Sequence, residues 1–262
     1  MAERRIVFLM YHELEEPGRA LCRSQPGYVR YVLRANDFRA QMATLQSKGW
    51  RGVSVGEAIR FQEDRTVAIT FDDGSETDLI SAAPVLRQFG FGATFYVTNR
   101  WLGQQGYLSH AQLRELCALG FEIGCHSMTH AYLTDLDDSG LRREIAEAKS
   151  ELERIIGKSV EHFSCPGGRF DLRASKVAHH AGYRTVTTSE IQANSQSTDR
   201  FALGRVAVMR STSPTKFWDL CRRRGLWRSR MVLRLREAGK KLLGNSTYDR
   251  LRDALLRHGP SA

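Results

Sequence analysis

The chain has 262 residues, 42% hydrophobic and 26% charged, with a formal net charge of +10 at pH 7. Such a length can bury one core of barrel size, the composition argues against disorder, and no apolar run approaches the ~20 residues that a spanning helix needs. The charge is uneven: from Arg222 to Ala262 there are twelve Lys or Arg against three acids (Glu237, Asp249, Asp253), a net of +9, so the preceding 221 residues are nearly neutral.

The first apolar run, at 5–10, follows two arginines. It is too short for the core of a signal peptide and no small-residue cleavage site follows, so it reads as a strand. Further strands are expected at 51–54, 66–71, 92–97, 121–125, 161–165, 184–188 and 203–208. Helices are expected near 36–48, 78–89, 109–119, 139–156 and 171–181. The clearest of them has apolar residues at Leu141, Ile145, Ala148, Leu152, Ile155 and Ile156, with Asp138 or Ser139 as N-cap and Gly157 just past its end. Alternating strands and helices predict parallel strands joined by crossover helices. Seven or eight strands favour an α/β fold, a variant (β/α)7–8 barrel, over an open doubly wound sheet. Residues 189–200 read as a polar surface loop. From about residue 212 the pattern turns helical and basic, which predicts a domain over 1–211 and a basic helical C-terminal extension over 212–262. Five cysteines without a CxxC spacing fit buried reduced thiols, and a cytoplasmic location is the expectation.

Chemistry-bearing residues gather behind the strands. The run Thr66-Val67-Ala68-Ile69-Thr70 opens through Phe71 into Asp72-Asp73-Gly74, two adjacent carboxylates that repel unless a cation or proton sits between them. His126 and His130 have an i, i+4 spacing that lets two imidazoles converge if the segment turns helically. Two histidines and one carboxylate make a metal triad with open positions, leaving the other carboxylate as a base. Pro166-Gly167-Gly168 and His12 also follow predicted strands, at the end of a barrel where catalytic groups collect.

Taken singly these motifs are common. Together, Thr70-Phe71-Asp72-Asp73-Gly74, His126-Ser127-x-x-His130 and the loop at 166–168 resemble the NodB-homology polysaccharide deacetylases, carbohydrate esterase family 4, over roughly residues 5–210. Met10-Tyr11-His12, before Asp37-Phe38 and Leu45, resembles the branch of that family whose motifs are circularly permuted. The resemblance implies that Asp73, His126 and His130 bind a divalent metal, Zn2+ foremost, with Co2+, Mn2+ or Fe2+ also accepted by such a set. It implies Asp72 as general base and His12 as general acid, with Pro166, Gly167 and Gly168 bordering the substrate. Two features depart from the family. An arginine that orients the base is expected two residues before the loop proline, where this chain has Ser164, and the usual loop aromatic is missing. Arg205, in Leu203-Gly204-Arg205-Val206, is the candidate for the missing charge and for a place in the substrate site.

The implied function is metal-dependent removal of N-acetyl groups from an amino-sugar glycan or a lipid-linked saccharide. The rivals are a catalytically impaired glycan-binding or membrane-associated scaffold, and an O-deacetylase. Residues 222–257 mix arginines with Leu226, Trp227, Met231 and further leucines, as cationic helices on anionic membrane surfaces do. A helix packed on its own barrel is the other reading. Nucleic acid is not expected, since no recognisable module accompanies the charge. The location implied is cytoplasmic, peripheral at the inner membrane surface.

Overall fold

The computed structural model describes residues 3–60, 63–227, 230 and 231. In chain order its elements are β1 (Ile6–Tyr11), β2 (Leu14–Glu15), α1 (Pro26–Val29), β3 (Leu33–Arg34), α2 (Ala35–Ser47), β4 (Arg51–Val53), α3 (Val55–Arg60), β5 (Thr66–Phe71), α4 (Ala83–Phe89), β6 (Thr94–Val97), α5 (His110–Ala118), β7 (Glu122–Cys125), α6 (Asp138–Arg142), α7 (Ala148–Ile156), β8 (His162–Ser164), α8 (Leu172–His180), β9 (Thr185–Thr187), β10 (Ala193–Asn194), β11 (Val206–Ala207) and α9 (Pro214–Cys221).

Strands β1, β5, β6, β7, β8 and β9 pair in parallel in that order, and β4 lies along the start of β5. The sheet then returns on itself. Leu203 bridges to Thr187 of β9, and β11 pairs in parallel with β1 through Leu9↔Val206 and Met10↔Ala207. This is the variant β/α barrel expected from the alternation, closed by a short final strand.

Every residue of β1 and of β5 is buried, because one face of each strand packs on helices and the other fills the barrel, which gives continuous apolar runs rather than alternation. Ile6, Phe8, Ala68, Tyr96 and Leu203 form the inner cluster. Val7, Leu9, Tyr11, Val67, Ile69, Phe71 and Phe95 pack outward under the helices. The N-terminal end of the barrel is sealed by a satisfied polar knot. Glu122 accepts from Thr94 Oγ1 at 2.5 Å, from Ser54 Oγ at 3.1 Å and from the Gly56 N–H at 3.1 Å, while His162 Nε2 stands 3.4 Å from Glu122 and its Nδ1 is 2.8 Å from Thr185 Oγ1. The open end is the C-terminal one.

The helix expected over 139–156 is present as α6 and α7 joined by a wider π turn, Arg143–Glu147. Its N-cap is Asp137 rather than Asp138 or Ser139: the Asp137 carboxylate accepts from the Gly140 N–H at 2.8 Å, and Gly157 ends it in the left-handed conformation. Packing continues past residue 211. Phe217 and Leu220 of α9 are buried in the outer core, and Trp218 meets Trp50 edge-on at 5.4 Å. Most of the basic segment 222–257 lies outside the described residues. Among the described residues no helix is long and apolar enough to cross a membrane.

Candidate metal centre and its pocket

At the end of β5 the backbone turns sharply. Asp73 and Gly74 both adopt left-handed φ, +82° and +81°. Aspartate tolerates that region better than most side chains, and at Gly74 the left-handed φ favours glycine, where a Cβ would also crowd Val97 Cγ1 at 3.0 Å. The turn sends the two carboxylates in different directions.

Asp73 faces the histidines. Its Oδ1 is 3.6 Å from His126 Nε2 and 3.6 Å from His130 Nε2. One donor atom from each of the three residues lies within 4.8 Å of the others. Asp73 Oδ1 is buried and accepts no hydrogen bond, a costly state for a carboxylate oxygen unless a cation occupies the gap. His126 Nδ1 lies 2.9 Å from the Ser164 carbonyl oxygen; donating there leaves Nε2 as the lone-pair nitrogen aimed at Asp73. Burial pushes His130 down to about 4, so its imidazole is neutral and able to ligate at physiological pH. The donor set fits a divalent cation.

The histidines do not converge through a helix, as their spacing suggested. Ser127 and His130 have φ of +70° and +66°, and the segment is a loop. Ser127 Oγ accepts from the His130 N–H at 2.9 Å. Glu144, on the π turn, accepts from the Thr129 N–H at 2.8 Å and from Thr129 Oγ1 at 2.7 Å. The widened turn thus brings a buried carboxylate down to pin the histidine loop. Sequence reading missed Glu144, whose only signal was an acid on the apolar face of an otherwise regular helix.

Asp72 faces the barrel interior and meets Arg205. Arg205 Nη1 donates to Oδ1 at 2.6 Å and Nη2 to Oδ2 at 2.7 Å. Arg205 Nη2 also donates to Ser164 Oγ at 2.7 Å, Nη1 to Thr70 Oγ1 at 3.2 Å, and Nε to the Thr188 carbonyl at 3.3 Å. Both partners are nearly inaccessible, Arg205 at 1% and Asp72 at 2%. Burial alone pushes the Asp72 carboxyl up, but Arg205 and the neighbouring imidazoles outweigh it and hold Asp72 well below the usual carboxylate range. The charge expected in the position that Ser164 occupies comes instead from the closing strand. Arg205 is buried against Asp72 and is not among the residues that line the pocket, so the structure places it against the carboxylate.

His12 stands beside both aspartates in the pocket wall, its Nδ1 buried without a hydrogen-bond partner. Burial lowers its pKa, against an upward pull from Asp73 and Asp72. Gly167 and Gly168 line the same pocket and Pro166 is buried beneath them. At Gly168, with φ of +68°, a Cβ would fall 2.1 Å from Ser189 Oγ. Arg23, Tyr28, Tyr31, Tyr132 and Arg169 complete the wall. Apart from Tyr132, they come from the excursion between β2 and β3, which includes α1, and from the loop after β8, whose approach to the site only the tertiary fold sets.

Residues 60–186 match the family model for polysaccharide deacetylase. The putative polysaccharide deacetylase YxkH of Bacillus subtilis is 27% identical over 219 residues, covering 81% of this chain and 75% of that one. The peptidoglycan-N-acetylglucosamine deacetylase of Bacillus cereus is 35% identical over 127 residues, 48% of this chain and 57% of that protein. In structure, the deacetylase PplD of Streptococcus pyogenes, solved with acetate, superimposes with a TM-score of 0.74 at 20% identity, covering 84% of this chain and 99% of that one. The putative polysaccharide deacetylase BA0330 of Bacillus anthracis gives 0.73 at 23% identity, over 84% of this chain and 69% of that one. At such identities the structures speak for a shared fold. Asp72, Asp73, His126 and His130 all fall inside the matched stretch, and over residues 60–186 the chain carries a polysaccharide deacetylase domain, of the NodB-homology type found in carbohydrate esterase family 4.

Proposed function

We propose that this protein hydrolyses the N-acetyl group of an amino sugar within a glycan, with Asp73, His126 and His130 holding a divalent cation, Zn2+ foremost. The observation that carries the reading is the convergence of two imidazole nitrogens on a buried carboxylate oxygen that accepts no hydrogen bond. A cation held there supplies Lewis acidity to an acetamide carbonyl and to water. The chain's own residues do the rest. Asp72, ionised and fixed by Arg205, accepts the proton of the attacking water through its carboxylate. Arg205 is a positioning residue: it never meets substrate, and it keeps Asp72 charged and oriented. His12 delivers a proton to the departing amine nitrogen, which cannot leave as an anion. Gly167 and Gly168 offer a side-chain-free surface over which a sugar ring can lie.

The scaffold reading drew its support from the missing arginine and the altered proline loop, and the Arg205–Asp72 pair argues against the first of these. An O-acetyl substrate would need less from His12, because an alkoxide leaves more readily than an amide anion. Acetate release from N-acetylglucosamine oligomers by the purified protein, with and without chelator and with zinc or cobalt restored, tests the proposal. Release that chelator abolishes and Asp72→Asn removes is expected; release indifferent to both would overturn it. A cytoplasmic site of action with the segment 222–257 at an anionic membrane surface belongs to the same proposal, supported by the uneven charge. Salt-sensitive sedimentation with anionic liposomes is its test, and no sedimentation at low salt would dismiss it.

A further inference from the structure

The mouth of the pocket carries two cations for which hydrolysis of a neutral acetamide has no use. Arg23, between β2 and α1, holds its guanidinium carbon 3.9 Å over the Trp101 ring and 5.8 Å from the Tyr28 ring centre, and its Nε donates to Tyr107 Oη at 3.0 Å. Trp101 stacks in turn on His130, with centroids 4.8 Å apart and planes at 26°. Guanidinium, indole and imidazole thus form one pile leading outward from the metal triad. On the loop after β8, Arg169 places its guanidinium carbon 3.6 Å from the Tyr132 ring centre, with only 12% of its side chain exposed. Both arginines line the pocket that holds His12, Asp72 and Asp73.

The acids in that pocket are already engaged, Asp72 by Arg205 and Asp73 by the histidines. No carboxylate among the described residues pairs with Arg23, and Arg169 Nη1 lies 4.0 Å from a half-exposed Asp135. Stacking fixes the plane of the Arg23 guanidinium, and Tyr107 takes only its Nε, so the two Nη groups keep their fork of donors in the pocket wall. Such a fork matches the paired oxygens of a phosphate or carboxylate, and its preorganisation lowers the entropy lost on binding. Two arginines beside a cation site also repel it, a cost without return unless the ligand brings negative charge.

We propose that the substrate carries an anionic group, a phosphate ester or a carboxylate, on or next to the sugar that loses its acetyl group, and that Arg23 and Arg169 receive it. The proposal rests on the deacetylase reading above and narrows it.

The test compares acetate release from three probes at low salt: the neutral disaccharide of N-acetylglucosamine, the same disaccharide bearing a 1-phosphate, and the N-acetylglucosamine–N-acetylmuramic acid disaccharide with its carboxylate. At least one charged probe should exceed the neutral one in kcat/KM by about tenfold, the worth of a charge-assisted pair, and which one does so identifies the anion. Arg23→Gln should raise KM for the charged probe and bring the charged-to-neutral ratio toward one, with metal content unchanged; Arg23→Lys should restore part of the preference, and Arg169→Gln should reduce it independently. A ratio near one in the native protein, or a preference that Arg23→Gln and Arg169→Gln both leave intact, overturns the proposal while leaving deacetylation standing. No acetate from any probe with zinc or cobalt present overturns the deacetylase reading itself.

Discussion

Replacing Arg205 by methionine removes the guanidinium while keeping much of its buried volume, and leaves Asp72 alone in a site where it is 2% exposed. The contacts at 2.6 and 2.7 Å disappear together with the donors to Thr70, Ser164 and Thr188. Removing one partner of a buried ion pair costs about 3–5 kcal/mol, which for a domain of this size corresponds to a fall in Tm of roughly 6–20 °C. The pH dependence should also change sign. In the native protein the folded pKa of Asp72 lies below its unfolded value, so the pair stabilises above about pH 4 and that contribution fades as pH falls. Without Arg205, burial is the dominant influence and acts upward. The folded pKa then lies above the unfolded one, and stability is lost as pH rises through it. Urea unfolding of the chelated protein from about pH 4 to about pH 8, for the native chain, Arg205→Met, Asp72→Asn and the double variant, reads both effects; the coupling energy should reach about 3 kcal/mol. A loss below about 1 kcal/mol with an unaltered pH profile would refute this account of the pair.

Asp73→Asn should lose bound metal and acetate release together, and stoichiometric metal in the purified variant would remove Asp73 from the ligand set. His12→Ala should lower kcat on N-acetyl substrates by about 10²- to 10⁴-fold, the usual worth of general acid catalysis, with metal still bound; unchanged kcat would return His12 to a packing role. His130, held down to about 4 by burial, stays neutral in the folded metal-free protein while the unfolded chain protonates near 6.5. Its contribution is therefore present above about pH 6.5 and lost as pH falls toward 4, roughly 2–4 kcal/mol in all. Thermal unfolding in chelator should show Tm dropping between pH 7 and pH 5, less steeply in His130→Gln, and a flat Tm would contradict it.

The expected strands and helices were legible because β1 and β5 are buried on both faces and α7 repeats its apolar residues at helical spacing. The cluster of Asp72, Asp73, His126 and His130 was legible because two acids and two histidines behind strands have few structural uses. Geometry was less so. A spacing of four fits a helix and a left-handed loop equally, and what selects the loop at 126–130 is Glu144, from another element. The excursion carrying Arg23 left no periodic trace, since β2, α1 and β3 are only two to four residues long. It is held from within by Glu13, fully buried, which accepts from Arg19 Nη1 at 2.7 Å and from Tyr28 Oη at 2.9 Å, and from without by Arg19 Nε on Glu76 at 2.7 Å. Arg205 could be suspected only from a deficit elsewhere, because its partner lies 133 positions away in the chain.

The residues matched by the family model, 60–186, contain the metal triad and Asp72 but neither His12 nor Arg205. Those two sit at the ends of paired strands, β1 and β11, in the seam that closes the barrel. Unzipping that seam withdraws Arg205 from Asp72 and loosens the strand end that bears His12 in one event. Asp73, His126 and His130 follow β5 and β7 and are spared. On the roles proposed above, cation loading and proton handling are separable: protein nicked or frayed at this short final strand would keep its metal and still be silent, and a preparation's metal content would then report nothing about its active fraction.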